Sequence, residues 1–102
     1  MLFKTFLTAL KNKNFEQAKL NLSSSVANQV TVEQLENLRE NLKFYDSPII
    51  YLTGMQMGFD GSNYLMVQYK YKSDFNDPPK DLIKVIFDDK NKIIGVQPTK
   101  RP

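Results

Sequence analysis

The chain contains neither cysteine nor histidine. Without cysteine there is no disulfide and no thiolate nucleophile. Without histidine there is no imidazole base, and the zinc sites built on Cys or His go with it. No uninterrupted apolar run of about 18 residues occurs, so no segment is expected to span a membrane as a helix. Arginine, the side chain that forks onto phosphates and base edges, is scarce, with only Arg39 and Arg101 beside the lysines. The basic residues are spread along the chain, apart from the pair Lys100-Arg101, so the net charge of +3 reads as solubility. No nucleic-acid partner is expected. A glycine-rich phosphate loop and a nucleophile elbow are also missing, and no cofactor is expected.

What is present suffices for one domain: 102 residues, of which 41% are hydrophobic. The domain is expected to cover residues 1–98, with 99–102 a flexible polar tail. Phe3, Phe6, Leu7 and Leu10 fall at helical spacing. Lys4 and Thr5 interrupt what would be the apolar stretch of a secretory signal, so this segment reads as an amphipathic helix of the fold. Lack of cysteine suits the cytoplasm, and equally an exported protein whose leader was removed before Met1. Asn12-Lys13-Asn14 should break the first helix. A second helix follows, with Phe15, Ala18 and Leu22 on one face, and stops in Ser23-Ser24-Ser25. Residues 23–30 read as a loop or short turn. Thr31-Val32-Glu33-Gln34 matches a capping box, in which the Thr hydroxyl and the Gln side chain satisfy each other's backbone N–H groups. Val32, Leu35, Leu38 and Leu42 then line one stripe to about Lys43, and Glu36 can pair with Arg39 outside it.

From Pro48 onward the period changes to two. Ile49 to Met57 is a strand candidate that is apolar on both faces. Phe59-Asp60-Gly61-Ser62 signals a hairpin, and Tyr64 to Lys72 alternates, with Leu65, Val67, Tyr69 and Tyr71 on one side. Two prolines make residues 76–79 a loop. Asp81 to Asp88 and Ile93 to Gln97 are the last strands, joined by Asp89-Lys90-Asn91-Lys92. Three helices followed by four short-linked strands predict an α+β fold: helices packed on one face of an antiparallel meander.

Asn14-Phe15-Glu16-Gln17-Ala18, the capped helix 31–43 and the closing phrase from Val85 to Gly95 carry a resemblance. The chain resembles nuclear-transport-factor-two-like domains, also called cystatin-like or SnoaL-like, and is most similar to small bacterial domains of unknown function. The resemblance implies a curved four-stranded sheet wrapped around three helices as a cone, with a pocket at its open end. Some members are isomerases, dehydratases or cyclases that use His, Asp and Tyr in the cone; others bind ligands or partners. Fold does not choose among these.

The residues narrow the choice. Without histidine, the enzyme reading reduces to an isomerase-like or cyclase-like pairing of Asp46 with Tyr45, Tyr51, Tyr69 or Tyr71. Asp46 precedes Ser47-Pro48, where its plainer role is local hydrogen bonding. Asp60, Asp77, Asp81, Asp88 and Asp89 fall at turns or strand ends, and the adjacent Asp88 and Asp89 read as hairpin residues, not metal ligands. No catalytic residue is assigned. A small apolar or aromatic ligand would be lined by Tyr51, Met55, Met57, Tyr69 and Tyr71; alternatively these residues fill the core. Self-association, as a homodimer or with a protein partner, would use Tyr64, Met66, Leu82 and Ile86 on the outer sheet face, rimmed by Gln68, Lys70, Lys72 and Lys84. This interaction reading is the leading expectation.

Overall fold

A computed structural model describes residues 2–44, 46–58 and 60–100. Four helices, α1 (Leu2–Lys11), α2 (Phe15–Lys19), α3 (Ser24–Gln29) and α4 (Val32–Glu40), precede four strands, β1 (Pro48–Met57), β2 (Asn63–Tyr71), β3 (Asp81–Phe87) and β4 (Ile93–Lys100). The strands form one open antiparallel sheet in chain order, as short links between consecutive strands require.

The helices follow from local chemistry. Phe3, Phe6 and Leu10 lie on the buried stripe of α1. The chain leaves α1 through Lys13 at φ 60°, and the Asn14 side chain caps α2 by accepting from the Gln17 N–H at 3.2 Å. The capping box at Thr31 is complete: Gln34 N–H donates to Thr31 Oγ1 at 3.1 Å, and Thr31 N–H to Gln34 Oε1 at 2.9 Å. Three helical expectations are corrected. Residues 24–29 are helical because Ser23 accepts from the Val26 N–H at 3.3 Å and so starts a turn, making four helices where three were expected. Val32 is exposed, so the buried stripe of α4 narrows to Leu35 and Leu38, with Leu42 just beyond. The Arg39 guanidinium turns away from Glu36 to the end of α1, its Nε donating to Leu10 O at 3.1 Å and its Nη2 to Lys11 O at 3.1 Å. A long cation placed at the C-terminal carbonyls of α1 also favours the helix dipole.

Val67, Tyr69 and Tyr71 of β2, with Ile83, Val85 and Phe87 of β3, face the helices and meet Phe3, Phe6, Leu10, Ala18 and Leu35 in one core. The expected alternation of β2 holds at these positions, while Leu65 near its start is exposed. The β1–β2 turn is held by Gly58 N–H to Ser62 O at 2.7 Å, with Gly61 at φ 83°. At the β3–β4 turn, Asp88 accepts from the N–H groups of Lys90 and Lys92 at 2.9 and 2.8 Å. β4 runs past residue 98, pairing Thr99 with Leu82 and Lys100 with Asp81, so the sheet claims part of the expected tail.

Candidate functional site

Two features stand apart from the close-packed core. The first is a cavity of about 420 Å³ between α1, the link after α4 and the helix-facing side of β2 and β3. Phe3 and Leu7 of α1, Leu42 and Phe44 of the link, and Tyr69 and Tyr71 of β2 supply its apolar wall. Lys4, Lys11, Lys43, Asp46 and Ser47 also line it, so charged side chains border a largely apolar space. Such a mixture, a concave apolar wall with few polar groups, is what small-molecule sites have in common.

Two tyrosines on successive inward positions of β2 meet different fates here. Tyr71 Oη accepts from the Lys43 backbone N–H at 3.0 Å. The Lys43 ammonium sits 5.3 Å from the Tyr71 ring centre and pairs with Asp81 at 2.7 Å. Tyr69 stacks on Phe3, ring centres 4.5 Å apart, and is 2% exposed. Its hydroxyl is buried and finds no hydrogen-bond partner among the described residues. Burial pushes both phenols above their ordinary range, because the charged form loses hydration; at Tyr71 the Lys43 N–H acts against this.

Asp46 shares this cavity with both tyrosines. Its carboxylate accepts from the Ser73 hydroxyl and from the Ser73 N–H, which ties the link before β1 to the turn after β2. That is the plainer role expected of it. Tyr45 lies outside the described residues. Tyr51, Met55 and Met57 do not line the cavity: Tyr51 is exposed on β1, and Met55 and Met57 are 63% and 71% exposed. The expected pocket set is therefore split. Two members, Tyr69 and Tyr71, line the cavity, whereas the β1 residues lie beyond the cover of the helices. The remaining aspartates hold loops. Asp74 accepts from the Asn76 side chain and N–H at 2.6 and 3.0 Å and from the Lys80 N–H at 2.8 Å, and these bonds lower its pKa to about 2. Asp60 is likewise lowered, chiefly by the Ser62 N–H, within the β1–β2 turn. Among the described residues no group of three or more Asp or Glu could hold a metal ion.

The second feature is the sheet away from the core. Tyr64, Met66, Leu82 and Ile86 occupy the outer-face positions, with Met66 directly opposite Ile86. This apolar centre is largely self-covered. Glycines flank the pair on both edge strands, Gly54 opposite Met66 and Gly95 opposite Ile86. The Ile86 side chain lies close over Gly95 and is 8% exposed. Tyr64 lies against Gly58 and donates its hydroxyl to Asp60 at 3.3 Å. The exposed apolar surface gathers instead along β1: Ile49, Ile50, Leu52, Met55 and Met57, with Leu65 beside Met55. None of Ile49, Ile50, Leu52 and Leu65 is among the expected pocket or interface residues, although the run from Ile49 to Met57 carries no charge and reads as apolar on both faces. No family model, curated protein or solved structure matches this chain.

Proposed function

We propose that this chain is a non-catalytic self-association module, of the nuclear-transport-factor-two-like kind its sequence resembles, with the sheet as its contact element. The observation that carries the reading is the row of exposed apolar residues on β1, in a domain whose other large apolar side chains are mostly gathered into one core. These side chains lie on both faces of one edge strand, Ile50, Met55 and Met57 with Leu65 on the helix-facing side and Ile49 and Leu52 on the other, and exposed apolar surface gathered in this way favours burial against a partner. The order of elements, helices before an antiparallel meander, is compatible with the resemblance. Native mass spectrometry of the purified chain tests the proposal. A dimer or higher species that dissociates on dilution is expected; a monomer at every concentration up to about 1 mM would overturn it.

A second reading has its own support. The buried Tyr69 hydroxyl, without a partner among the described residues and on a side chain that lines the cavity, suits a small apolar or aromatic ligand that carries a hydrogen-bond acceptor. The same spectra test this: a retained small mass that is lost in Tyr69→Phe supports it, and bare protein in both argues against it. The Asp46–tyrosine enzyme is the weakest of the three, because Asp46 is engaged by Ser73.

A further inference from the structure

We propose that β1 pairs edge to edge with β1 of a second copy of this chain, antiparallel, so that two four-stranded sheets become one of eight strands. This rests on the self-association reading and adds the partner, the strand and the register.

The two edges of the sheet are treated differently. An edge strand presents unpaired N–H and C=O groups, and proteins ordinarily blunt it with charge, proline, bulges or cover. At β4 three of these devices are present. Residues 21–23 lie along its start, with Ile93 N–H donating to Asn21 O at 3.0 Å and Ser23 N–H to Ile93 O at 2.9 Å. Pro98 offers no N–H, and the register with β3 breaks between Ile86 and Phe87. β1 carries proline only at its first position. It has one irregularity, between Ile50 and Leu52, and from Leu52 to Met57 its pairing with β2 is regular. Those six residues, LTGMQM, include no charge, no proline and no bulge.

The occupant follows from the chemistry of that run. A partner strand must meet exposed apolar side chains on the helix-facing side, Met55 and Met57 beside Leu65, and Leu52 on the other side. A second copy of the run supplies the same groups. Because β1 holds no Lys, Arg, Asp or Glu, self-pairing sets no like charges opposite each other, although the whole chain carries +3. A two-fold axis perpendicular to the sheet keeps each face matched to itself and places one residue opposite its own copy. For the regular run that residue is Gly54 or Met55. Within the paired run, Leu52, Met55 and Met57 are 50%, 63% and 71% exposed, so a second copy of the strand has apolar surface to cover on both faces.

Absence of native cysteine makes the test clean. Single-cysteine variants at Leu52 through Met57 are oxidised at low concentration, with Gln68→Cys as the probe of the outer sheet face. Gly54→Cys is tolerable, since its Cβ would meet only the end of the flexible Met66 side chain, at 3.4 Å. Covalent dimer that peaks at Gly54→Cys or Met55→Cys is expected, because residues directly opposite in an antiparallel pair have Cβ atoms about 4.5–5.5 Å apart. Met55→Lys, at a solvent-exposed position, should weaken the dimer at least tenfold with far-UV circular dichroism unchanged. A dimer that survives Met55→Lys and links through Gln68→Cys would overturn edge pairing while leaving self-association standing. A monomer in every variant and in the parent chain would overturn both.

Discussion

Replacing Tyr69 by phenylalanine should stabilise the protein, and the same change at Tyr71 should destabilise it, although the two side chains point the same way from one strand. Both rings are buried in the core, so Tyr→Phe keeps the packing and removes one oxygen. At Tyr69 that oxygen has no partner among the described residues. Its burial costs the desolvation of a hydroxyl, about 1–3 kcal/mol by mutational scales, with no hydrogen bond to offset it. Tyr69→Phe recovers much of this, so a gain of about 1–2 kcal/mol is expected. At Tyr71 the oxygen accepts from the half-buried Lys43 N–H at 3.0 Å. Removing it loses about 1 kcal/mol and leaves a donor unsatisfied. Urea unfolding followed by circular dichroism reads both, and each kcal/mol corresponds to roughly 4–8 °C in Tm for a domain of this size. If Tyr69→Phe is no more stable than the parent, the reasoning fails, and the hydroxyl is bonded in solution to water or a ligand. Coupled with native mass spectrometry, the same variant separates a hydroxyl that only strains the core from one that serves the cavity.

Three further outcomes follow from particular contacts. Thr31→Ala removes the capping-box acceptor and should cost about 1 kcal/mol of stability by urea titration, whereas Thr31→Ser should retain most of it. Ile93→Ala, at a fully buried position where β4 meets residues 21–23, should cost about 2–5 kcal/mol; a smaller loss would mean that the site collapses around the change. The Asp74 carboxylate is lowered to about 2 from an ordinary value near 3.8. A depressed folded pKa means that its contribution is complete above the ordinary value and is lost as pH falls from about 4 through 2. The Asn76 and Lys80 amide resonances should therefore titrate together in that window, and in Asp74→Asn this transition should vanish.

Several features were legible in sequence because few residues decide them. A capping box needs a hydroxyl and an amide three residues apart, and Thr31 and Gln34 form it as read. The Asp60-Gly61 turn, the Asp88 hairpin and the period-two face of β2 are equally local. Their consequence, an α+β domain with a four-stranded antiparallel meander, was legible with them. Helix α3 leaves little trace in the sequence because SSVANQ carries little apolar periodicity and depends on one serine cap. The acceptors of Arg39, Leu10 O and Lys11 O, lie far away in the chain, so helical spacing points only to Glu36.

By itself the sequence determined which catalytic chemistries are excluded, where the chain turns, and which side of β2 and β3 is apolar. Periodicity reports the face on which a side chain lies. It does not report whether another element covers that face. Tertiary structure alone decided that the helices cover β2 and β3 yet leave Met55 and Met57 of β1 in solvent. It also decided that Tyr71 found a donor while Tyr69, two residues earlier, has none among the described residues. The same structure laid residues 21–23 along the start of β4, while among the described residues no segment pairs with the outer edge of β1. Each of these depends on where distant segments come to rest, and burial energy is set by that arrangement rather than by the order of neighbouring residues.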